Sequence, residues 1–289
     1  MRIKTAISSN EYMRAGDVWV RNFTKTGIAP ICISHMYSKE DYETILQNEE
    51  KNRKRARISD ENLNFQNMVI VSDGYGFSEK HKIISKFPSD VCVLTVNGAL
   101  KEWKLNKKNT PVEDQRSINA HVINNPYREA LMDLPERQSP YYPTCISSIR
   151  TNSEFCRRYQ GDIYLYVPTP ERVFGYERNE SYFIDDYRNP VCAAIGLAHQ
   201  FNVGKLLLLC CDASIEEAKA YTVQLENGLH TYPHHLKSQS IIDANLHWLT
   251  KQEGKEVKVA DFSSGRKYEN AAYISSEQDA LDFFVDQEE

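Results

Sequence analysis

No stretch of the chain reaches the roughly 18 consecutive apolar residues that a helix needs to cross a bilayer, and the amino terminus, MRIKTAISSNEY, lacks the short apolar core of a secretory leader. A cytoplasmic protein without a transmembrane segment is expected. Positive charge is in deficit as well: 35 Lys and Arg against 40 Asp and Glu leave a net charge of −5. The overall field therefore gives no support to a polyanion-binding role, and no nucleic-acid partner is expected. The local exception is Lys51, Arg53, Lys54, Arg55 and Arg57, a run that suits either contact with phosphates or an acidic surface, or the solvated end of a helix. Cysteine is odd in number, and Cys32, Cys92, Cys145, Cys156, Cys192, Cys210 and Cys211 lie mostly in apolar runs, where a reduced thiol behaves as a small hydrophobe. Neither disulfides nor zinc are expected. Internal repeats and low-complexity tracts are absent too.

What is present is a series of short apolar runs that each stop at Gly, Pro or polar residues. MVIVSDGYGF begins at Met68, VCVLTVNGAL at Val91, AHVINNPYREAL at Ala120 and YYPTCISSIRT at Tyr141. DIYLYVPTPE begins at Asp162, KLLLLCCD at Lys205 and a last run, EVKVADFSSG, at Glu256. Runs that are apolar throughout, rather than alternating, mark parallel strands covered on both faces, and the intervals are long enough for crossover helices. The fold class expected is α/β, a Rossmann-like, doubly wound and mostly parallel sheet. At 289 residues one such domain over 66–289 accounts for the chain, with residues 1–65 as an amino-terminal extension packed on it. Within that extension Ser38 to Arg57 suits a polar helix with Tyr42, Ile45 and Leu46 on one side.

The clearest helix follows Asn189 and Pro190, a capping residue and a residue tolerated in the first turn, with Val191, Ala194, Ile195, Ala198 and Phe201 at helical spacing. In YTVQLENGLHTY, Asn227 and Gly228 stand between alternating runs and predict a β-hairpin insertion beside the crevice. A helix over Leu236 to Leu249 follows, with Ile242, Leu246 and Leu249 inward.

Ligands of open α/β sheets bind outside the carboxyl ends of the strands, where helix amino termini direct unpaired N–H groups. The nucleotide-binding candidates are therefore Ser72, Asp73, Gly74 and Gly76 in the first turn, Asn97 and Asn125 at the next strand ends, Cys192 and Ala193 in the first turn of the Pro190 helix, and Asp212. Each has a plainer reading as a turn residue, a capped helix or a structural hydrogen bond. His230, Tyr232 and His234 crowd the end of the hairpin, where histidine can take a proton near neutral pH. His234 and His235 lie on different helix faces without a third ligand, so no metal site is expected.

The order of these pieces resembles the superfamily that joins 6-hydroxymethylpterin diphosphokinase (MptE-like) proteins, the motility accessory factors and the small bacterial sialyltransferases that use CMP-sialic acid. The resemblance spans roughly residues 68 to 275 and rests on VIVSDGYGF, on the strand ending at Asn97 and on NPVCAAIGLAHQFNVGKLLLLCCD, in which Pro190, Gly204 and Asp212 match. It implies that the opening turn and the helix start hold a nucleotide, that Asn125 in NNPYRE faces it, and that His230 or His234 is the general base. Tyr75 to Phe77 and Cys192-Ala193 depart from the family's Pro-Ser and Ser-Gly, and the diphosphokinase's Asp-rich metal motif is not recognisable.

Three functions are consistent with these residues. The first is a glycosyltransferase-like enzyme that moves a sugar from a nucleotide donor, CMP-type favoured, to an acceptor hydroxyl. The second is a diphosphokinase acting on a pterin-like alcohol, which alone would require magnesium, through Asp73 or Asp212. The third is a catalytically inactive binding or assembly module on the same fold. A homo-oligomer is compatible with all three.

Overall fold

The computed structural model describes residues 12–15, 18–21, 39–53, 55, 65–107, 118–134, 142–168, 183–184, 186, 189–214, 216, 221–225, 228–252, 256–265 and 267–285. A short antiparallel pair, β1 (Tyr12–Ala15) and β2 (Val18–Arg21), and helix α1 (Lys39–Asn52) precede the sheet. The sheet then runs β3 (Asn67–Val71), α2 (Phe77–Lys80), β4 (Val91–Val96), α3 (Ala99–Lys107), β5 (Ala120–Ile123), β6 (Thr144–Ser148), α4 (Ser153–Arg158), β7 (Ile163–Pro168) and β8 (Phe183–Ile184). After α5 (Pro190–Gln200) and β9 (Lys205–Leu209) come the hairpin strands β10 (Val223–Gln224) and β11 (His230–Thr231). The chain closes with α6 (Pro233–Thr250), β12 (Lys258–Phe262), β13 (Ala272–Tyr273) and α7 (Glu277–Asp282). Short 3-10 turns over His81–Lys86 and Arg128–Asp133 follow α2 and β5.

Nine strands form one sheet in the order β13-β12-β9-β3-β4-β5-β6-β7-β8, and every pairing in it is parallel. The fold is thus the α/β Rossmann-like plan that the apolar runs predict. Alternate residues of one strand enter different cores: Met68 and Ile70 of β3, with Leu206 and Leu208 of β9, meet α5 and α6, whereas Val69, Val71, Leu207 and Leu209 meet α2, α3, α4 and α7. All eight are 0% exposed, so neither face has polar positions and no alternation is seen in the sequence. Each such side chain contributes roughly 1.5–3 kcal/mol on burial.

The order places a topological switch between β3 and β9, since the strands after β3 march one way and β9, β12 and β13 lie on its other side. β3 and β9 are in register from Asn67↔Lys205 to Val71↔Leu209, so their ends lie level. The hairpin is present and Gly228 takes φ +83°, where glycine is favoured; Asn227 lies outside the described residues. The structure adds strands that no apolar run announces, β8 and β13 at the two edges of the sheet and the β1–β2 pair before it, and α6 begins at Pro233 rather than Leu236. No helix among the described residues is long and apolar enough to cross a membrane.

Candidate functional site

The walls of the switch point are tied together. Beyond the strand ends, Ser72 N–H donates to Leu209 O at 3.0 Å, Gly74 N–H to Cys210 O at 3.2 Å and Tyr75 N–H to Ser214 O at 3.2 Å. A Cβ at Gly74 would lie 2.4 Å from Cys210 O, and Gly76 adopts φ +81° with Ser264 Oγ 3.1 Å from its would-be Cβ. The glycines that sequence offers to a phosphate are thus required by the chain's own close approach, and the N–H of Gly74 is already used. Cys210 (φ 55°) and Ala213 (φ 51°) bend the β9 end into the same junction.

Asp212 is fully buried there. Its carboxylate accepts hydrogen bonds from Ser214 Oγ at 2.9 Å, Ser214 N–H at 3.4 Å and Gly265 N–H, and its carbonyl accepts from Gln239 Nε2. It therefore staples the β9 end to the loop after β12 and to α6, the structural reading of this residue. Burial pushes its carboxyl up, against the hydrogen bonds from Ser214 and Gly265. On β12 next door, burial drives Asp261 to about 7, opposed by its Ser263 bond and helped by the Asp212 charge. The Lys80 ammonium donates to Phe262 O at 3.0 Å and Ser264 Oγ at 2.8 Å, closing this side.

One strand further, at the end of β4, lies the Asn97-Gly98 turn. Asn97, half-buried, holds φ 48°, a left-handed conformation that asparagine tolerates better than most. Asp73 Oδ2 and Asp133 Oδ1 reach within 2.4 Å and 3.7 Å of the position a Gly98 Cβ would take, so two carboxylates converge on one point at the start of α3. Desolvation raises Asp133 to about 6, with the Asp73 charge adding and Lys101 opposing. Desolvation raises Asp73 too, against its hydrogen bonds from backbone and Ser72. Asp73 nevertheless exposes much of its surface.

At the ends of β5 and β6 the second asparagine is committed locally. Asn125 Oδ1 accepts from Tyr127 N–H at 2.9 Å, an Asx turn, and its carbonyl accepts from Asn152 N–H at 3.0 Å. It is Asn124 that reaches across the sheet, donating to Asp186 Oδ2 at 3.3 Å, which also accepts from Tyr166 OH at 2.9 Å. Asn189 caps α5 as expected, its Oδ1 accepting from Val191 N–H at 2.8 Å. Cys192 and Ala193, however, are 0% exposed core residues, and Cys192 Sγ meets Asn245 Nδ2 at 3.7 Å. Their side chains line no open crevice.

The hairpin joins the switch point through Thr231, whose Oγ1 donates to Ala213 O at 3.2 Å. Strand alternation turns His230 to the side opposite Thr231, and the ring of Tyr232, the residue that precedes α6, meets His235 at 5.9 Å between centroids. His234 belongs to the first turn of α6, its side chain outside the described residues. Among the described residues no hydrogen bond or ion pair joins His230 to Asp73, Asn97 or Asp133. The structure therefore brings Ser72, Asp73, Gly74, Gly76, Asn97 and Asp212 into one neighbourhood, and leaves Asn125 and the hairpin at its two ends.

Sequence reasoning missed Asp133, Asp261, Lys80 and Asp186. Asp133 sits in a mixed segment without strand or helix periodicity, REALMDLPER, and the other three become visible only once β3, β12 and α5 are placed. Among the described residues no group of three or more His, Cys, Asp or Glu is arranged to hold a metal ion. No family model matches the chain, and no curated protein matches it.

Proposed function

We propose that the chain is a nucleotide-dependent transferase, with glycosyl transfer from a nucleotide sugar to an acceptor hydroxyl as its reaction. The observation that supports this most is the convergence of Asp73 and Asp133 above Gly98, beside the switch point of a parallel sheet. A carboxyl near 6 is matched to taking a proton at neutral pH. In this reading Asp133 accepts the acceptor's O–H proton as that oxygen bonds to the sugar's anomeric carbon. The bond from that carbon to the donor phosphate breaks, and its electron pair leaves with the nucleotide, beside Lys101 and the first N–H groups of α3. Asp133 thereby takes the role that resemblance to the sialyltransferases gives to His230 or His234, and the CMP-type donor is kept as the preferred one.

The same carboxylate pair favours a second reading. Two acidic side chains at a strand edge suit magnesium carried in with ATP, as diphosphate transfer to a pterin-like alcohol requires. The experiment is chromatography of nucleotide released from a panel of nucleotide sugars between pH 5 and 8, with Asp133→Asn alongside the native chain. Glycosyl transfer predicts magnesium-independent release that Asp133→Asn lowers about 100-fold or more. Turnover only of ATP with magnesium would replace it with the second reading, and turnover of neither would leave a binding module.

A further inference from the structure

The face that α1 buries is mostly polar. Ile45, Asn48, Glu49 and Asn52 follow helical spacing and are 2%, 5%, 2% and 0% exposed, whereas Leu46, expected inward, is half-buried and the Tyr42 side chain lies outside the described residues. A helix docked for stability alone would present apolar residues, because each buried amide or carboxylate must recover its lost hydration through specific partners. Here the partners are all loops of the sheet's carboxyl edge. The Asn48 amide uses both ends: Nδ2 donates to Pro126 O at 2.9 Å and Oδ1 accepts from Ser153 N–H at 3.1 Å, so one side chain bridges the loops after β5 and β6. Asn52 Nδ2 donates to Ile149 O at 3.1 Å and Thr151 O at 2.8 Å. Glu49 faces the buried Arg150, with Oε1 3.7 Å from Nε, a buried ion pair.

Those loops form one block, since Asn152 N–H donates to Asn125 O at 3.0 Å and Thr151 Oγ1 to Ile123 O at 3.1 Å. The block continues into α5: Asn124 holds the Asp186 carboxylate, and the Asp186 carbonyl accepts from Asn189 N–H at 2.7 Å. Hydrogen bonds joined through the chain at Ile123 to Pro126 and at Asp186 thus lead from α1 to the Asn125 turn, at the end of the strand that pairs with β4, and to the start of α5. Of the basic run at the end of α1, Lys51 and Arg53 are exposed and Arg55 is half-buried, and the Arg53 charge acts on Glu49 together with that of Arg150; Lys54 and Arg57 lie outside the described residues.

We infer that α1 is a built-in wall of the nucleotide site rather than an appendage, and that Asn48 and Asn52 are positioning residues that set the Asn125 loop and the α5 start for the donor. This rests on the transferase reading. Asn48→Ala, compared with Ile45→Ala as a destabilised control on the same helix, tests it by steady-state kinetics over donor concentration and by amide exchange. The expected result is a KM for the donor raised about tenfold with kcat within about twofold. Faster exchange of the Tyr127, Asn152 and Asn189 amides accompanies it, and Ile45→Ala shows neither effect. Should Asn48→Ala not fold, Asn52→Ala removes instead the donations to Ile149 O and Thr151 O from the same helix. Equal weakening by Asn48→Ala and Ile45→Ala, or exchange unchanged at those three amides, overturns the inference. If the native chain binds no nucleotide, the transferase reading alone fails. The exchange data still decide whether α1 sets these loops.

Discussion

Gly74 donates its N–H to the Cys210 carbonyl at 3.2 Å, across the one place in the sheet where the strand order reverses. In an open switch point that N–H would face a ligand; here it faces the neighbouring strand end. The phosphate-cradle reading of Gly74 and the close-approach reading make different demands on a methyl group. A Cβ 2.4 Å from Cys210 O forces the two strand ends apart. Gly74→Ala is therefore expected to lower stability by about 1–3 kcal/mol, by backbone displacement. Urea denaturation of the ligand-free protein measures this, and a loss below about 0.5 kcal/mol would show that the junction yields.

Asp212 carries a second prediction. Its carboxylate satisfies Ser214 and Gly265 at full burial, so Asp212→Ala leaves buried donors unpaired and is expected to cost about 2–4 kcal/mol. Since the residue staples rather than reacts, the variant's kcat, measured well below its unfolding midpoint, is expected to stay within about threefold of the native value. A kcat loss near 100-fold with native stability would instead place Asp212 in the chemistry.

The pH dependence of stability follows from the raised carboxyls. Asp133, at about 6, and Asp261, at about 7, both start from 3.8, so the folded chain binds protons more tightly than the unfolded one. Stability from these two groups is full below about pH 4 and is lost as pH rises through 6 to 7. Asp261 has Asp212 and Lys80 as charged neighbours, and the Lys80 ammonium limits the loss. Asp261→Asn should therefore gain about 1–2 kcal/mol at pH 8 and nothing at pH 4. Unfolding midpoints across that range decide it; a variant no more stable at pH 8 than the native chain contradicts the assignment.

Much of the fold is legible in the residues, for a physical reason. Strands covered on both faces have no polar positions, so Met68–Val71, Val91–Val96 and Leu206–Leu209 are apolar throughout, and Asn189-Pro190 is a cap that needs no tertiary contact to be recognised. β13 was missed because Ala272 and Tyr273 are both exposed and its two residues carry no period. The role of α1 was missed because Asn48, Glu49 and Asn52 have the composition of a solvated face, and only the loops they meet make them interior. At the site, Gly74 and Asp212 were found by position in the chain, but their use depends on a register between β3 and β9 that no local pattern encodes. Asp133 reaches Gly98 from a 3-10 turn in a stretch without periodicity, and pairing it with Asp73 requires β3, β4 and β5 side by side.

Thermal unfolding of the native chain with CMP, UDP, GDP, ADP and ATP, each with and without magnesium, tests the transferase account most directly, because a ligand that binds only the folded state raises the midpoint. The account predicts a rise with CMP that needs no magnesium and that Gly98→Val abolishes by filling the space between Asp73 and Asp133. A midpoint unmoved by every nucleotide, with and without magnesium, would contradict it.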